Sequence, residues 1–436
     1  MSLENAIKPR ERGLSTPLTY AQEPLWLLDQ LEPGGTAYLI SSVHRLTGEL
    51  CIPALEAALT EVFRRHESLR TRFRVEDGRP QQVVVDPVPV RLLPEEVPGA
   101  SAEEREAGLM SRLEQMAAEG FQLSERPPVR VRLLRLGPRE HVLGFFTHHI
   151  VMDGWSMGIL WREVSVVYNA HRCGGPLALA PLGLQPGDFA AWEREHWHPE
   201  AVEERLEFWR EQLAGPLPVL EMPTDRPRGP TRSSRGATLT FDVPWGLFQD
   251  FKALCQSERA SAFMGLLALY HLLLHRYSGQ EDLVIGYGNA GRYRSEIEGM
   301  IGMFVNTTIL RTDLGGSPTF LEVLRRVRSV VLDAFEQGDI PFELLVRGVA
   351  PQRSGSQNPL FQVAFAYMAG TGDEVRFEGL EASPIAPPMP GAKFELMLGF
   401  HETSDRLTGS FEYNTELRGE RSIGVMGRAY VELMRG

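Results

Sequence analysis

The stretch that most constrains this 436-residue chain runs from Val142 to Ser156. Val142-Leu143-Gly144-Phe145-Phe146 is apolar at consecutive positions. Side chains alternate between the two faces of a strand. A run apolar at both parities therefore reads as a central strand covered on both sides. Thr147-His148-His149 closes it, three apolar residues follow, and Asp153-Gly154 precedes a helical pattern in which Ile159, Leu160, Val164 and Val167 are available for packing. Nowhere else in the sequence are so many chemically capable groups gathered. The rest of the chain reads as a scaffold holding this segment at the bottom of a cleft.

Helical periodicity is expected over 21–31, 53–66, 157–171, 188–213, 246–256, 261–277 and 319–337, and from Glu420 onward. In 53–66, Leu55, Leu59, Val62 and Phe63 share a face, and Pro53 sits where a first-turn proline is tolerated. Ser101 with Glu104 forms a capping box for a helix that turns Leu109, Leu113 and Met116 inward. Strands are expected over 36–46, 129–136, 142–146, 237–243, 282–287, 304–311, 361–367 and within 396–413. Segments 69–75 and 81–85 read as a hairpin around Asp77-Gly78. Both halves are thus mixed α and β, an α/β class without short repeats. The Gly-, Pro- and Leu-rich stretch from Cys173 to Gly187 is the best boundary between them. That gives a linker over 1–13, a first lobe over 14–180 and a second over 181–436.

Composition excludes several function classes. A net charge of −12 argues against nucleic acid or anionic lipid as the main partner, leaving only a local basic cluster at Arg226, Arg228, Arg232 and Arg235. Cys51, Cys173 and Cys255 are far apart and lack metal-site spacing, which fits a reduced, cytoplasmic compartment. The N-terminus is polar and mixed in charge, so it does not read as a signal peptide. No apolar run approaches the roughly 18 residues of a membrane span.

His148 and His149 cannot both face one way while the strand continues. One can face a cleft; the other is structural or held by a backbone hydrogen bond. The turn brings the Asp153 carboxylate near them, either to orient an imidazole or to pair with an arginine. The Gly154 N–H and the helix N-terminus suit developing negative charge on an oxygen. No metal is expected: the segment offers at most two ligands, and no HExxH or CxxC assists.

These residues form an HHxxxDG pattern that resembles the signature of nonribosomal peptide synthetase condensation domains. Further matches occur in family order over about residues 14–430. Leu18-Thr19-Tyr20-Ala21-Gln22-Glu23-Pro24-Leu25-Trp26-Leu27 is similar to the opening motif, and Arg65-His66-Glu67-Ser68-Leu69-Arg70-Thr71-Arg72-Phe73 to the second. Asp188-Phe189-Ala190-Ala191-Trp192 resembles the fourth, with Phe189 where Tyr is commoner. Ile301-Gly302-Met303-Phe304-Val305-Asn306-Thr307, Asp339-Ile340-Pro341-Phe342-Glu343 and Asn358-Pro359-Leu360-Phe361-Gln362-Val363 resemble the fifth to seventh. One departure is Gln337, at a position where the family often has His.

The resemblance implies two chloramphenicol-acetyltransferase-like lobes in a V-shaped pseudodimer, with a tunnel at their interface. It also implies a floor loop at about 288–299 and a latch from the second lobe within about 368–393. The reaction implied is amide formation, by attack of an acceptor aminoacyl-carrier amine on a donor aminoacyl- or peptidyl-carrier thioester. His149 is then the catalytic residue, as base or as positioning group, and the Gly154 N–H lies near the thioester. His148 is a structural neighbour. Asp153 is salt-bridged to an arginine, for which Arg292 is the candidate. Trp192 and Asn306 take packing roles. The domain binds no cofactor of its own and no residue is assigned to holding one; phosphopantetheine arms arrive on donor and acceptor peptidyl carrier proteins.

The chain lacks adenylation and carrier sequences. It is expected to be one domain of a larger synthetase, beside an adenylation domain and itself monomeric. Gly154-Trp155-Ser156-Met157 resembles domains that take an L-configured donor, and the intact histidines exclude the heterocyclisation class. Two competing readings keep the fold: a non-catalytic docking platform, whose histidine motif is usually damaged, and an ester-forming acyltransferase.

Overall fold

The patterns resolve into three sheets and their covering helices in the computed structural model, which describes residues 6–229, 235–349, 360–370, 375–386 and 391–436. The chain divides into two units. Unit 1 holds the described residues of Met1–His198, Arg292–Val305 and Thr371–Met389; unit 2 holds those of Pro199–Gly291, Asn306–Gly370 and Pro390–Gly436.

Unit 1 begins with β1 (Thr16–Pro17), α1 (Gln22–Leu31), β2 (Leu39–Gly48), α2 (Ile52–Arg65), β3 (Thr71–Glu76) and β4 (Arg79–Val84). It continues with β5 (Glu95–Glu96), α3 (Ala102–Ala118), β6 (Val129–Gly137), β7 (Glu140–His148), α4 (Gly154–Cys173) and α5 (Pro186–His196). Unit 2 carries α6 (Pro199–Gln212), β8 (Gly236–Val243), α7 (Trp245–Ser257), α8 (Ala262–Ser278), β9 (Asp282–Asn289), β10 (Asn306–Asp313), α9 (Phe320–Glu336), α10 (Phe342–Val349) and β11 (Val363–Ala369). The chain then returns to unit 1 for β12 (Leu380–Ile385). It closes in unit 2 with β13 (Leu396–Glu402), β14 (Leu407–Asn414) and α11 (Glu420–Arg435).

The five-stranded sheet of unit 1 has the order β12-β2-β7-β6-β5, which puts β7 at its centre. Phe145 points to the side covered by α2 and α4, its ring 6.1 Å from Trp161 and 6.4 Å from Phe63. Phe146 takes the other side, where the Arg130 guanidinium lies over its ring and over Phe121 and donates to the Met116 carbonyl. Both phenylalanines are fully buried, each worth about 1.5–3 kcal/mol of transfer free energy. Covering both faces leaves β7 no water-facing side, as its unbroken apolar run requires. A smaller sheet, β1-β4-β3, turns at Asp77-Gly78. Their φ values of 49° and 75° are the left-handed pair that a two-residue hairpin needs. The sheet of unit 2 runs β10-β9-β11-β13-β14-β8, with β11 parallel to both its neighbours.

The structure departs from the sequence reading in four places. The helix expected over 188–213 is two helices, α5 and α6, because Pro199 lacks the N–H a continuing helix would use and begins α6 instead. The division between units falls at that break, after residue 198 and not near 180, because α5 is bonded to unit 1. Gln185 bonds the Glu67 N–H and the Arg65 carbonyl, and Glu193 accepts from the Tyr20 N–H. Nor is 181–436 one contiguous lobe, since 292–305 and β12 both join unit 1. β12, within the stretch where a latch was expected, is an edge strand paired with β2 from Leu380↔Gly48 to Ile385↔Val43. Pro384 hides it from a strand pattern, and proline is tolerated on such an edge. Residues 371–374 and 387–390 of the same stretch lie outside the described residues, as does Arg232 of the basic cluster.

The fourth departure concerns the linker. Where it is described, 1–13 is docked. Ile7 is buried against Ile297, Met300 and Phe304. Arg10 and Arg12 pair with Glu67 and with the fully buried carboxylate of Asp188. Among the described residues, no helix is long and apolar enough to cross a membrane.

Burial of Glu193 raises its carboxyl to about 7, against the pull of the Tyr20 N–H and Arg194. The folded protein therefore holds a proton that the unfolded chain releases above about 4.5. Stability falls as pH rises through that window and levels off above 7. Glu193→Gln keeps an acceptor for Tyr20 and removes the ionisation. Urea unfolding at pH 8 should find the variant more stable by up to ~3 kcal/mol, with the gap closing by pH 5. A gap independent of pH would contradict the assignment.

Candidate active site

β7 delivers the two histidines to different surroundings. His148 is its last residue and is buried; its Nδ1 accepts the Ile150 N–H at 3.1 Å. His149 has left the strand. Its N–H donates to the Tyr38 carbonyl at 2.8 Å, its carbonyl accepts the Met152 N–H, and its Nδ1 lies 3.2 Å from Met303 Sδ. The residue is half-buried. Ile150, Val151 and Met152 are buried and pin the turn from beneath.

Asp153 ends the turn as the N-cap of α4, its Oδ1 accepting the Ser156 N–H at 2.8 Å and the Ser156 hydroxyl at 2.7 Å. It also pairs with Arg292, at 3.0 Å from Oδ2 to Nη1, and accepts the Phe304 N–H at 3.0 Å. The carboxylate is fully buried and the Arg292 side chain is 2% exposed. The helix therefore opens with its Asp fully engaged. Gly154 follows at the first helical position and is exposed, where backbone N–H groups have no partner within the helix and the dipole is positive.

Arg292 and Ser156 bind a whole segment to this helix. Arg292 Nη2 donates to the Ser156 hydroxyl at 2.9 Å and to the Met300 carbonyl at 3.0 Å. Its guanidinium lies 4.4 Å from the centre of the Phe304 ring. With its one hydrogen given to Asp153, the Ser156 hydroxyl also accepts the Gly302 N–H at 3.0 Å. A Cβ on Gly302 would come within 2.6 Å of the Phe304 ring, so glycine is required for this approach. Trp155 Nε1 donates to the Glu298 carbonyl, and Ser68 Oγ to the Ile301 carbonyl at 2.7 Å. His66, beside Ser68 in the second motif, pairs with the buried Glu163 of α4 at 2.8 Å, as Arg65 does at 3.0 Å.

Burial lowers the Arg292 pKa, and the Asp153 charge opposes that shift. Two charges without water hold one another in place. Removing one partner of such a pair costs about 3–5 kcal/mol, since the other is left uncompensated.

His148, His149, Asp153, Gly154 and Arg292 are thus brought together in unit 1. The segment 292–305 belongs to that unit, whereas the floor loop was expected from 288. Trp192 packs among rings: 5.6 Å from Phe189, stacked on His196 at 4.5 Å, and under the Arg294 guanidinium at 4.8 Å. Asn306 lies in unit 2, where it bonds the Gly338 and Ile340 carbonyls and the Phe342 N–H, starting α10. The Gln337 backbone carbonyl accepts from Trp209. Asn358 and Pro359 of the seventh motif lie outside the described residues.

Two residues escaped the sequence reading. Ser156 carries a local signal, since an Asp N-cap bonds groups three residues on. Met303 carries none, because only the folded chain brings residue 303 beside residue 149.

The condensation-domain family model matches residues 15–435. The chain belongs to the condensation-domain family of nonribosomal peptide synthetases. This condensation domain is 42% identical over 430 residues to one of the linear gramicidin synthase polypeptides of Brevibacillus parabrevis, covering 98% of the chain and 8% of that synthase polypeptide. It spans between 6% and 10% of the length of that relative and two similar ones. Among solved structures, it is similar to the X-domain from teicoplanin biosynthesis, at a TM-score of 0.86 and 30% identity over 98% of this chain and 96% of that one. The X-domain has also been solved in complex with OxyB. The first condensation domain of the CDA synthetase shares the fold, at a TM-score of 0.83 and 22% identity over 97% and 96% of the two chains. The mixed α/β architecture of two units is that family's fold.

Asp153→Ala in this condensation domain should lower unfolding free energy by about 3–5 kcal/mol. Ser156→Ala, which leaves Arg292 paired, should cost about 1–3 kcal/mol. Denaturant midpoints measure both, and wild-type stability in Asp153→Ala would remove the structural role.

Proposed function

We propose that this condensation domain forms a peptide bond between two carrier-bound thioesters. The intact His148-His149 pair above a fully bonded Asp153 is the observation that carries the reading. His149 stands in a half-buried position with its backbone fixed, which suits a group that meets the acceptor amine. Gly154 is an exposed residue at a helix N-terminus, where a backbone N–H suits a carbonyl oxygen gaining charge. His148, Asp153 and Arg292 hold these two in place.

The chemistry asks modestly of the protein. A thioester is already activated, and an α-amino group has a pKa of about 7.7–8.0, so an appreciable fraction is unprotonated near neutral pH. Holding amine and thioester in attack geometry is then the main contribution, for which effective molarities reach about 10⁵–10⁸ M. Donor and acceptor carrier proteins present both substrates on phosphopantetheine arms, and an adenylation domain of the same synthetase loads the acceptor. Gly154-Trp155-Ser156-Met157 supports an L-configured donor.

The likeness to the X-domain, with its complex with OxyB, favours a second reading: a docking platform for a partner enzyme. Loaded donor and acceptor carriers separate the two. Wild type should form dipeptide, detected by mass spectrometry on the acceptor arm, and His149→Ala should lower its rate by about 10²-fold or more. No product from any pairing in a panel of aminoacyl carriers would favour the platform. Product with undiminished turnover in His149→Ala would remove the catalytic assignment.

A further inference from the structure

Met303 sits between two anchored neighbours. The Gly302 N–H is held by the Ser156 hydroxyl, and the Phe304 N–H is held by Asp153 Oδ2. The main chain on either side is therefore fixed to the start of α4. That fixing delivers the Met303 sulfur to 3.2 Å from His149 Nδ1. His149 is fixed in turn through its own N–H on Tyr38.

A thioether sulfur has lone pairs and no hydrogen, so it only accepts. The contact is bonding when Nδ1 carries the proton and not otherwise. Resting on the function proposed above, we infer that Met303 is a positioning residue that sets the tautomer of His149, with Nδ1–H toward sulfur and Nε2 turned to the acceptor amine. The neighbouring imidazole shows the contrast. His148 Nδ1 accepts a backbone N–H, so that ring, when neutral, carries its proton on Nε2. Adjacent histidines are thereby held in opposite tautomers by what each Nδ1 meets.

The choice of sulfur also suits the reaction. A carboxylate at Nδ1 would orient the ring but would also stabilise the imidazolium, which cannot accept a proton. An uncharged thioether orients without that effect. As the amine nitrogen attacks the thioester carbon, the C–N bond forms and the C–S bond breaks. The proton leaving the amine has Nε2 to receive it and the departing thiolate to end on.

Long-range ¹H–¹⁵N NMR of histidine-labelled full-length domain tests this, with His149 signals identified by their loss in His149→Ala. Wild type should show Nδ1 protonated and Nε2 bare for His149. Met303→Leu keeps the size and removes the acceptor; the Nδ1–H form should fall below half, and turnover should fall at least about tenfold with carrier binding unchanged, a share of the ~10²–10⁴ a positioned base supplies. Met303→Gln returns an acceptor and should restore both. An unchanged ¹⁵N pattern in Met303→Leu overturns the positioning role whatever the turnover. A shifted pattern together with full turnover in His149→Ala overturns the catalytic reading of His149 instead, and leaves the contact standing.

Discussion

Everything at the candidate site depends on one buried charge needing its opposite. Burying a carboxylate is costly unless a cation and several donors reach it, and Asp153 is met by both. Its helix supplies two donors, from Ser156. The remainder come from residues 292–304, well over a hundred positions along the chain. The ion pair is thus a condition on topology: after building β9, the chain must come back to unit 1 before it proceeds to β10. Met300, Ile301, Gly302 and Phe304 are placed by the same requirement, through bonds to Arg292, Ser68, Ser156 and Asp153. An isolated pair of this kind adds little net stability. What it gives is a single register between two distant pieces of chain.

How far the sequence discloses this depends on whether the signal is local. The central strand was legible because an apolar run at both parities has few other uses. The 77–78 turn and the Ser101 capping box were legible because backbone geometry there demands particular residues. The break at Pro199 was legible in principle, yet the helical pattern on either side masked it. β12 was not, since its polar residues and Pro384 belong to an edge whose pairing partner lies over three hundred residues away. At the site, His148, His149 and Asp153 announce themselves by type and spacing. Arg292 came from likeness to a family and not from any physical feature of its neighbourhood in sequence. Met303 looks like an ordinary core methionine until the fold brings it to an imidazole.

The two histidines also show that adjacent identical residues need not share a task. The strand's end decides it. His148 is still in the ladder, buried, with its ring turned to the backbone of Ile150. One residue later the chain has left the sheet, and His149 stands half-buried beside a segment from elsewhere in the sequence.

The docked N-terminal segment bears on where such a domain can be cut and rejoined. A junction at residue 14, where the family's motifs begin, would discard Ile7, Arg10 and Arg12. It would uncover Met300 and Phe304, the latter beneath the Arg292 guanidinium, and would strip the arginines from the buried Asp188. A junction near 180 would sever α5 from the unit it is bonded to. A cut at the proline that opens α6 would leave unit 1 without 292–305 and β12, so the module is exchanged whole, with the docked segment from Ile7 onward kept.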